Sequence, residues 1–413
     1  MRCLNLFLPK LLLMVAVIHL VDAAAANAQQ FSFAGKRQKD AINFTMVRNL
    51  VIVPLYINGK GPFNFILDTG VGPMIITDTT LVKSLDLKNL RPIKINGLGK
   101  GVEIDAFLSG DIAAKIGRAT ISNMPAAILK EDIFGLSSYV GTRIYGLLGH
   151  SFFNSFIVEL KYANKRLLFN LPGTKKKIRG EKIPVQIINS KPYINIDIET
   201  AELGKVTAKM VVDNGASHAI SLETYEEKPF PAPSNAIQAN LGVGLSGPIS
   251  GSIGRIPLVH LGSFTMKDVI TSYPIYSDVA AKTYLRGRNG NLGADILSRF
   301  NIIFDYAGEA MYVRQNQYYK RPFEHDMSGI EFFMEEIDKK RFFISRIEAN
   351  SPAEQSGLMP EDEILTINFV RTSKLSLNDI TRIFRSEDGK PVFISVYRNG
   401  SVLIRLIKLK KRI

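Results

Sequence analysis

The chain has 413 residues, 46% hydrophobic and 22% charged, a length and balance suited to two or three domains with proper cores. Its 32 Gly, 19 Pro, 24 Phe and 14 Tyr favour strands and turns over long helices. The net charge of +14 does not imply a nucleic-acid partner: the basic residues bunch in a connecting segment (Lys175, Lys176, Lys177, Arg179) and at the C-terminus (Lys408, Lys410, Lys411, Arg412), without interleaved aromatics.

Residues 1–28 read as a cleaved signal peptide. Arg2 and Lys10 give a positive start, Leu11 to Val21 is apolar, and Ala26-Asn27-Ala28 offers small residues at the cleavage positions. That run falls well short of the roughly 20 residues needed to cross a bilayer, so no transmembrane anchor is expected after cleavage. The expected location is exported: periplasmic, cell-surface or secreted. Cys3 is the only cysteine and precedes the apolar run, so the mature chain would have no disulfide, thiol catalyst or cysteine–metal site. The polar stretch Gln29 to Ala41 reads as disordered.

From residue 42 the pattern is β. Leu50 to Ile57, the Asn58-Gly59 turn signal and Phe63 to Leu67 form a hairpin whose return strand ends on Asp68-Thr69-Gly70. A short helix is expected near Asp78 to Leu85. A glycine-rich hairpin tip with Gly97, Gly99 and Gly101 follows, and then Gly146-Leu147-Leu148-Gly149 and the strands Phe156 to Leu160 and Tyr162 to Phe169. Asn170 to Lys182, with Pro172-Gly173, reads as a linker.

The same order then begins again. Met210-Val211-Val212 leads into Asp213-Asn214-Gly215, and Asp213 stands 145 residues beyond Asp68. Gly242, Gly244 and Gly247 mark a second glycine-rich tip about thirty residues past its acid, as the first does. Gly290-Asn291-Leu292-Gly293 answers Gly146 to Gly149, and Phe300 to Tyr306 answers Phe156 to Tyr162, both at an offset of 144. Five features recur in one order at nearly constant spacing, which is an internal duplication.

Two acids on duplicated strand ends, brought to about 3 Å, cannot both ionise easily and share a proton. The ionised member can draw a proton from a water between them, and the protonated member can donate to a substrate carbonyl oxygen. That arrangement hydrolyses an amide without a covalent intermediate. The glycine after each acid lets backbone approach the carboxylate, and the glycine-rich tips are suited to cover a bound peptide. His150 and His218 lie near the motifs, but no pair has metal-ligand spacing, so neither metal nor cofactor is expected.

At these residues the chain resembles aspartic proteases of the pepsin and retropepsin type, and more narrowly the secreted bacterial members that end in a PDZ domain. The resemblance implies a mainly β fold: two duplicated barrel lobes over 42–172 and 181–315, followed by a small α+β PDZ domain over 326–413. It implies Asp68 and Asp213 as the catalytic pair, supported by Thr69, Gly70, Asn214 and Gly215. The flaps would carry Gly97, Gly99 and Gly101 in one lobe and Gly242, Gly244 and Gly247 in the other. Three positions depart from the family pattern. Asn214 replaces the Thr or Ser whose hydroxyl normally braces the second loop, although an amide can also hydrogen-bond. Val71 stands where a small residue usually follows, and Asn291 where the element packed behind the second loop is normally apolar.

In the C-terminal segment, Ser351-Pro352-Ala353-Glu354 has the cap, first-turn proline and acid of a short helix stopped at Gly357. Leu377, Ile380, Ile383 and Phe384 mark one face of a second helix, and Asn399-Gly400 joins two final strands. Gly329-Ile330-Glu331-Phe332 resembles the carboxylate-binding loop of PDZ domains, with Glu331 where a second glycine is common. The resemblance implies that a peptide C-terminus adds as a strand beside the helix. The expected partners are protein or peptide substrates and a C-terminal peptide ligand. The alternative function is a catalytically silent peptide-binding scaffold that keeps the protease fold.

Overall fold

The computed structural model describes residues 30–85, 87, 89–95, 103–132, 134–174, 178–244, 247–275, 287–335 and 337–413. The signal segment and the first hairpin tip, with Gly97, Gly99 and Gly101, lie outside the described residues.

The strands used below are β1 (Thr45–Val47), β2 (Leu50–Ile57) and β3 (Lys60–Leu67), which form a meander in the first lobe. Each hairpin is closed by two residues in left-handed conformation, Arg48-Asn49 and Asn58-Gly59, whose twist matches the flanking strands. Helix α1 (Leu136–Val140) precedes β4 (Gly146–Leu148), which runs parallel to β3 with Leu148 beside Leu67. Strand β3 is buried on both faces over Phe65, Ile66 and Leu67, as a strand inside a sheet and under a second layer must be.

The second lobe repeats this construction. Strand β6 (Gly204–Asp213) carries the second acid and runs parallel to β9 (Gly290–Gly293), with Val212 beside Leu292. Strands β7 (Ile237–Gly244) and β8 (Gly247–Leu261) form its long hairpin, paired at the tip through Gly244 and Gly247. Among the described residues the lobes hold a nine-stranded and an eight-stranded sheet.

A six-stranded sheet joins them, with β5 (Ile157–Lys161) and β10 (Phe300–Asp305) antiparallel at its centre. Val158 faces Phe304 and Leu160 faces Ile302, so a local twofold passes beside Glu159 and Ile303. Phe152, Phe153, Phe156 and Phe304 are fully buried beneath it, and the Phe153 ring lies 5.2 Å from Phe304 and stacks on Tyr306 at 5.7 Å. The linker 170–182 connects strands at its two ends, since Arg166–Asn170 belongs to one half and Glu181–Pro184 to the other.

One expectation is corrected here. Residues 30–41 are not a disordered lead-in: Ser32–Phe33 pairs with Thr120 and Ala119, and Lys39–Asn43 pairs with Arg166–Asn170 as an outer strand of the joining sheet. Phe31 and Phe33 pack into the Phe156 cluster. Two aromatic anchors in a polar stretch outweigh its composition.

The C-terminal domain has its own buried core, including Phe332, Phe342, Ile380 and Phe384, and a six-stranded sheet. Strand β11 (Ile330–Met334) is the edge of that sheet, and helix α2 (Leu377–Phe384) packs over it, with the Phe332 and Phe384 rings 6.1 Å apart. A capping box of Ser376 and Asp379 starts α2, and Ser351 caps the short helix Pro352–Gln355.

Candidate active site

The two acid loops meet at the twofold and hold each other. The Thr69 N–H donates to Asn214 Oδ1 at 2.7 Å, and the Asn214 N–H donates to Thr69 Oγ1 at 3.1 Å. The Thr69 hydroxyl donates onward to the Val212 carbonyl at 2.7 Å, and Asn214 Nδ2 donates to the Leu67 carbonyl at 2.9 Å. Both side chains are completely buried. A hydroxyl accepts and donates through one oxygen; the amide divides the same two tasks between its oxygen and its nitrogen. Asn214 therefore braces the first loop as the Thr or Ser of the resembled family would.

The carboxylates sit inside this brace. Asp68 Oδ1 accepts the Gly70 N–H at 2.7 Å, and Asp213 Oδ1 accepts the Gly215 N–H at 3.0 Å. Each glycine makes room for the opposite acid: a Cβ on Gly215 would fall 2.2 Å from Asp68 Cγ, and one on Gly70 would fall 2.8 Å from Asp213 Oδ2. Burial, and then the charge of Asp213, push the Asp68 carboxyl well above the ordinary Asp range. The Gly70 N–H and the charge of Lys191 act in the opposite direction. A raised carboxyl means the folded protein grips this proton more tightly than the unfolded chain. The stability it contributes is present below the ordinary Asp value and is lost as pH rises through the raised one.

The predicted site residues thus separate into groups. Asp68, Thr69, Gly70, Asp213, Asn214 and Gly215 come together. Gly242, Gly244 and Gly247 lie on the β7–β8 hairpin of the second lobe. Ile330, Glu331 and Phe332 begin the edge strand of the C-terminal domain, and Gly329 immediately precedes it.

Two contributors were not anticipated. Asn291 was read as a packing departure, yet its Nδ2 donates to Asp213 Oδ2 at 2.7 Å. Its polarity in an otherwise apolar element was the available signal. Beside it lies the His218 imidazole, which burial holds below the ordinary histidine value and so neutral. Lys191 carried no signal at all. It follows the Asn189-Ser190 turn, and a Cβ on Gly72 would touch Ser190 Cβ at 3.5 Å, so this turn rests on the first acid loop. Burial, and then the neighbouring Arg288, lower the Lys191 ammonium from the usual lysine value, while Asp213 and Asp68 favour its charged form. Val71 is buried with Ile66, Ile75 and Leu147, filling the first lobe behind its loop. Among the described residues no group of three or more His, Cys, Asp or Glu is arranged to hold a metal.

Residues 53–152 match the family model described as aspartyl protease, and residues 320–392 match that of the PDZ domain. The chain therefore carries an aspartyl-protease domain followed by a PDZ domain. Among solved structures, it is similar to the aspartic proteinase from Irpex lacteus at 10% identity, covering 68% of this chain and 99% of that one with a TM-score of 0.41. No curated protein matches the chain.

Two predictions follow from the brace and its surroundings. Asn214→Ala leaves the buried Thr69 N–H and Leu67 carbonyl without partners and is expected to destabilise the protein by about 3 kcal/mol, whereas Asn214→Thr should cost about 1 kcal/mol or less. Equal losses in denaturant titrations of the two variants would remove the brace from the account. Lys191→Met removes a cation that favours ionised Asp68, so the Asp68 titration midpoint is expected to move to higher pH. A midpoint that stays in place or falls would show that the lysine does not act on Asp68.

Proposed function

We propose that this protein is an exported aspartic-type endopeptidase in which Asp68 and Asp213 activate one water, and whose PDZ domain takes the C-terminus of a substrate or partner. The observation that carries the catalytic reading is a buried acid and a half-buried one, Asp68 and Asp213, pressed together by two mutually braced loops, one from each duplicated lobe. The protease and PDZ family matches support the same class. The export reading rests on the N-terminal sequence.

The two acids are not equivalent. Asp213 accepts from Gly215 N–H and Asn291 Nδ2, whereas Asp68 accepts from Gly70 N–H, shares a side-chain hydrogen bond with Asp213 that favours its neutral form, and is the acid whose neutral form burial favours. In this reading the shared proton rests on Asp68. The ionised partner takes a proton from the water, whose oxygen attacks the peptide carbonyl carbon. Asp68 gives its proton to the carbonyl oxygen, forming a neutral gem-diol. Collapse then passes a proton to the leaving nitrogen, breaks the C–N bond and regenerates one proton for the pair. The β7–β8 hairpin is suited to cover the substrate and pair with its backbone.

The silent-scaffold alternative drew on Asn214, and the amide's two bonds to the first loop weaken that argument. The test offers the protein beginning at Gln29 a mixed peptide library from acidic to neutral pH. Cleavage is expected to be suppressed by a pepstatin-like inhibitor and to fall roughly a hundredfold or more in Asp68→Asn and in Asp213→Asn. Cleavage that survives both substitutions would reject the dyad; no cleavage at any pH would favour the scaffold.

A further inference from the structure

The outer edge of β11, where a peptide would add as a strand, is already engaged by the first protease lobe. Ile344, which faces Phe332 on the neighbouring strand, directs its backbone groups away from β11: its N–H donates to the Asp362 carbonyl and its carbonyl accepts from Glu361. The Phe332 carbonyl and N–H therefore face outward, since in an antiparallel pair both backbone groups of a residue lie on one side. The Arg48 guanidinium donates to that Phe332 carbonyl at 3.3 Å and lies 5.1 Å from the Phe332 ring centre.

The opposite wall of the groove is held as well. Asn378, in the first turn of α2, accepts the Arg48 N–H through Oδ1 at 3.2 Å and donates through Nδ2 to the Met46 carbonyl at 3.1 Å. Its amide pairs with the β1 backbone as a neighbouring strand would. Gly141, at the end of α1, packs so tightly that a Cβ there would fall 2.6 Å from Leu377 Cδ1 and 3.0 Å from Met334 Cε. The β1–β2 turn thus spans from α2 to β11 and takes up groups that an incoming peptide needs.

The same turn reaches the second catalytic loop. Asn49 Nδ2 donates to the Ser217 carbonyl at 3.2 Å, and the Tyr139 hydroxyl lies 3.0 Å from Ser217 Oγ. Tyr139 also carries the Arg48 guanidinium over its ring at 4.3 Å. Ser217 stands four residues after Asp213. Independently, Glu331 of β11 accepts from Asn240 on the hairpin strand β7 at 3.1 Å and from Arg346 at 2.7 Å.

We propose that the PDZ groove is a regulatory site closed by the chain's own Arg48, and that a peptide C-terminus entering along β11 displaces this arginine and loosens the support of the second catalytic loop at Ser217. The inference rests on the reading that the groove takes peptide C-termini. Lobe docking and peptide binding then exclude each other, so pre-organised contacts within the chain lower the apparent affinity for the peptide. The displaced contacts at Asn49 and Tyr139 carry the effect to the catalytic half of the molecule.

The experiment measures binding of a fluorescent pool of peptides ending in Val, Leu, Ile or Phe with a free carboxylate, and of the same pool amidated. It uses the full chain carrying Asp68→Asn, so the result does not depend on cleavage. Arg48→Ala and Asn378→Ala are each expected to tighten binding of the free-carboxylate pool roughly tenfold, with Arg48→Lys intermediate. Equal affinity in all four proteins would overturn the closure while leaving the groove reading intact. No binding in any of them, or equal binding of the amidated pool, would overturn the groove reading and the closure together. In the active protein, saturating peptide is expected to lower kcat for a separate reporter substrate. A change in KM alone would mean competition at the cleft and would overturn the link to Ser217.

Discussion

The structure depends on a reciprocal hydrogen-bond brace between two chain segments 145 residues apart, Thr69 and Asn214. Each side chain binds the backbone of the other loop and the strand that leads into it. Four buried bonds with no exposed member are worth more together than singly, because losing one strands its partner in a dry interior. The lobes supply everything else to this point: parallel strand pairs behind each loop, a six-stranded sheet beneath, and glycines that admit the opposite carboxylate.

A symmetric brace holds an asymmetric pair of acids. The duplicated backbone gives each carboxylate the same amide donor, two residues further along. Asn291 adds a donor to Asp213, and the Lys191 ammonium lies near enough to feel both acids. In the proposed dyad, a single shared proton needs its two members distinguished, and unequal donors and burial would make the distinction.

Much of this was legible in the sequence because duplication leaves a repeat that can be read directly. The offset of 144 to 145 residues related the two acid loops, the elements Gly146 to Gly149 and Gly290 to Gly293, and the segments Phe156 to Tyr162 and Phe300 to Tyr306. That the elements run parallel to the acid strands, and that the segments build one sheet between the lobes, came from the structure. Turn signals such as Asn58-Gly59 and Asn399-Gly400, and the helix cap at Ser351, were local and stood where the residues indicated. What escaped was non-local or context-dependent. Phe31 and Phe33 are two apolar residues in a polar stretch, and only the packed cluster around Phe156 gives them a place. Lys191 lies near the acids because a hairpin turn rests on Gly72, which no spacing announces. The engagement of Arg48 with Phe332 links positions 284 residues apart that share no repeat and no motif.

The central claim is that Asp68 and Asp213 form one proton-sharing pair. Carbon NMR of the Asp68 carboxyl across the pH range tests it most directly. The account predicts that Asp68 titrates well above the ordinary Asp range, and that its midpoint falls when Asp213 is replaced by Asn, since the neighbouring negative charge is removed. A midpoint in the ordinary range that does not respond to Asp213→Asn would contradict it.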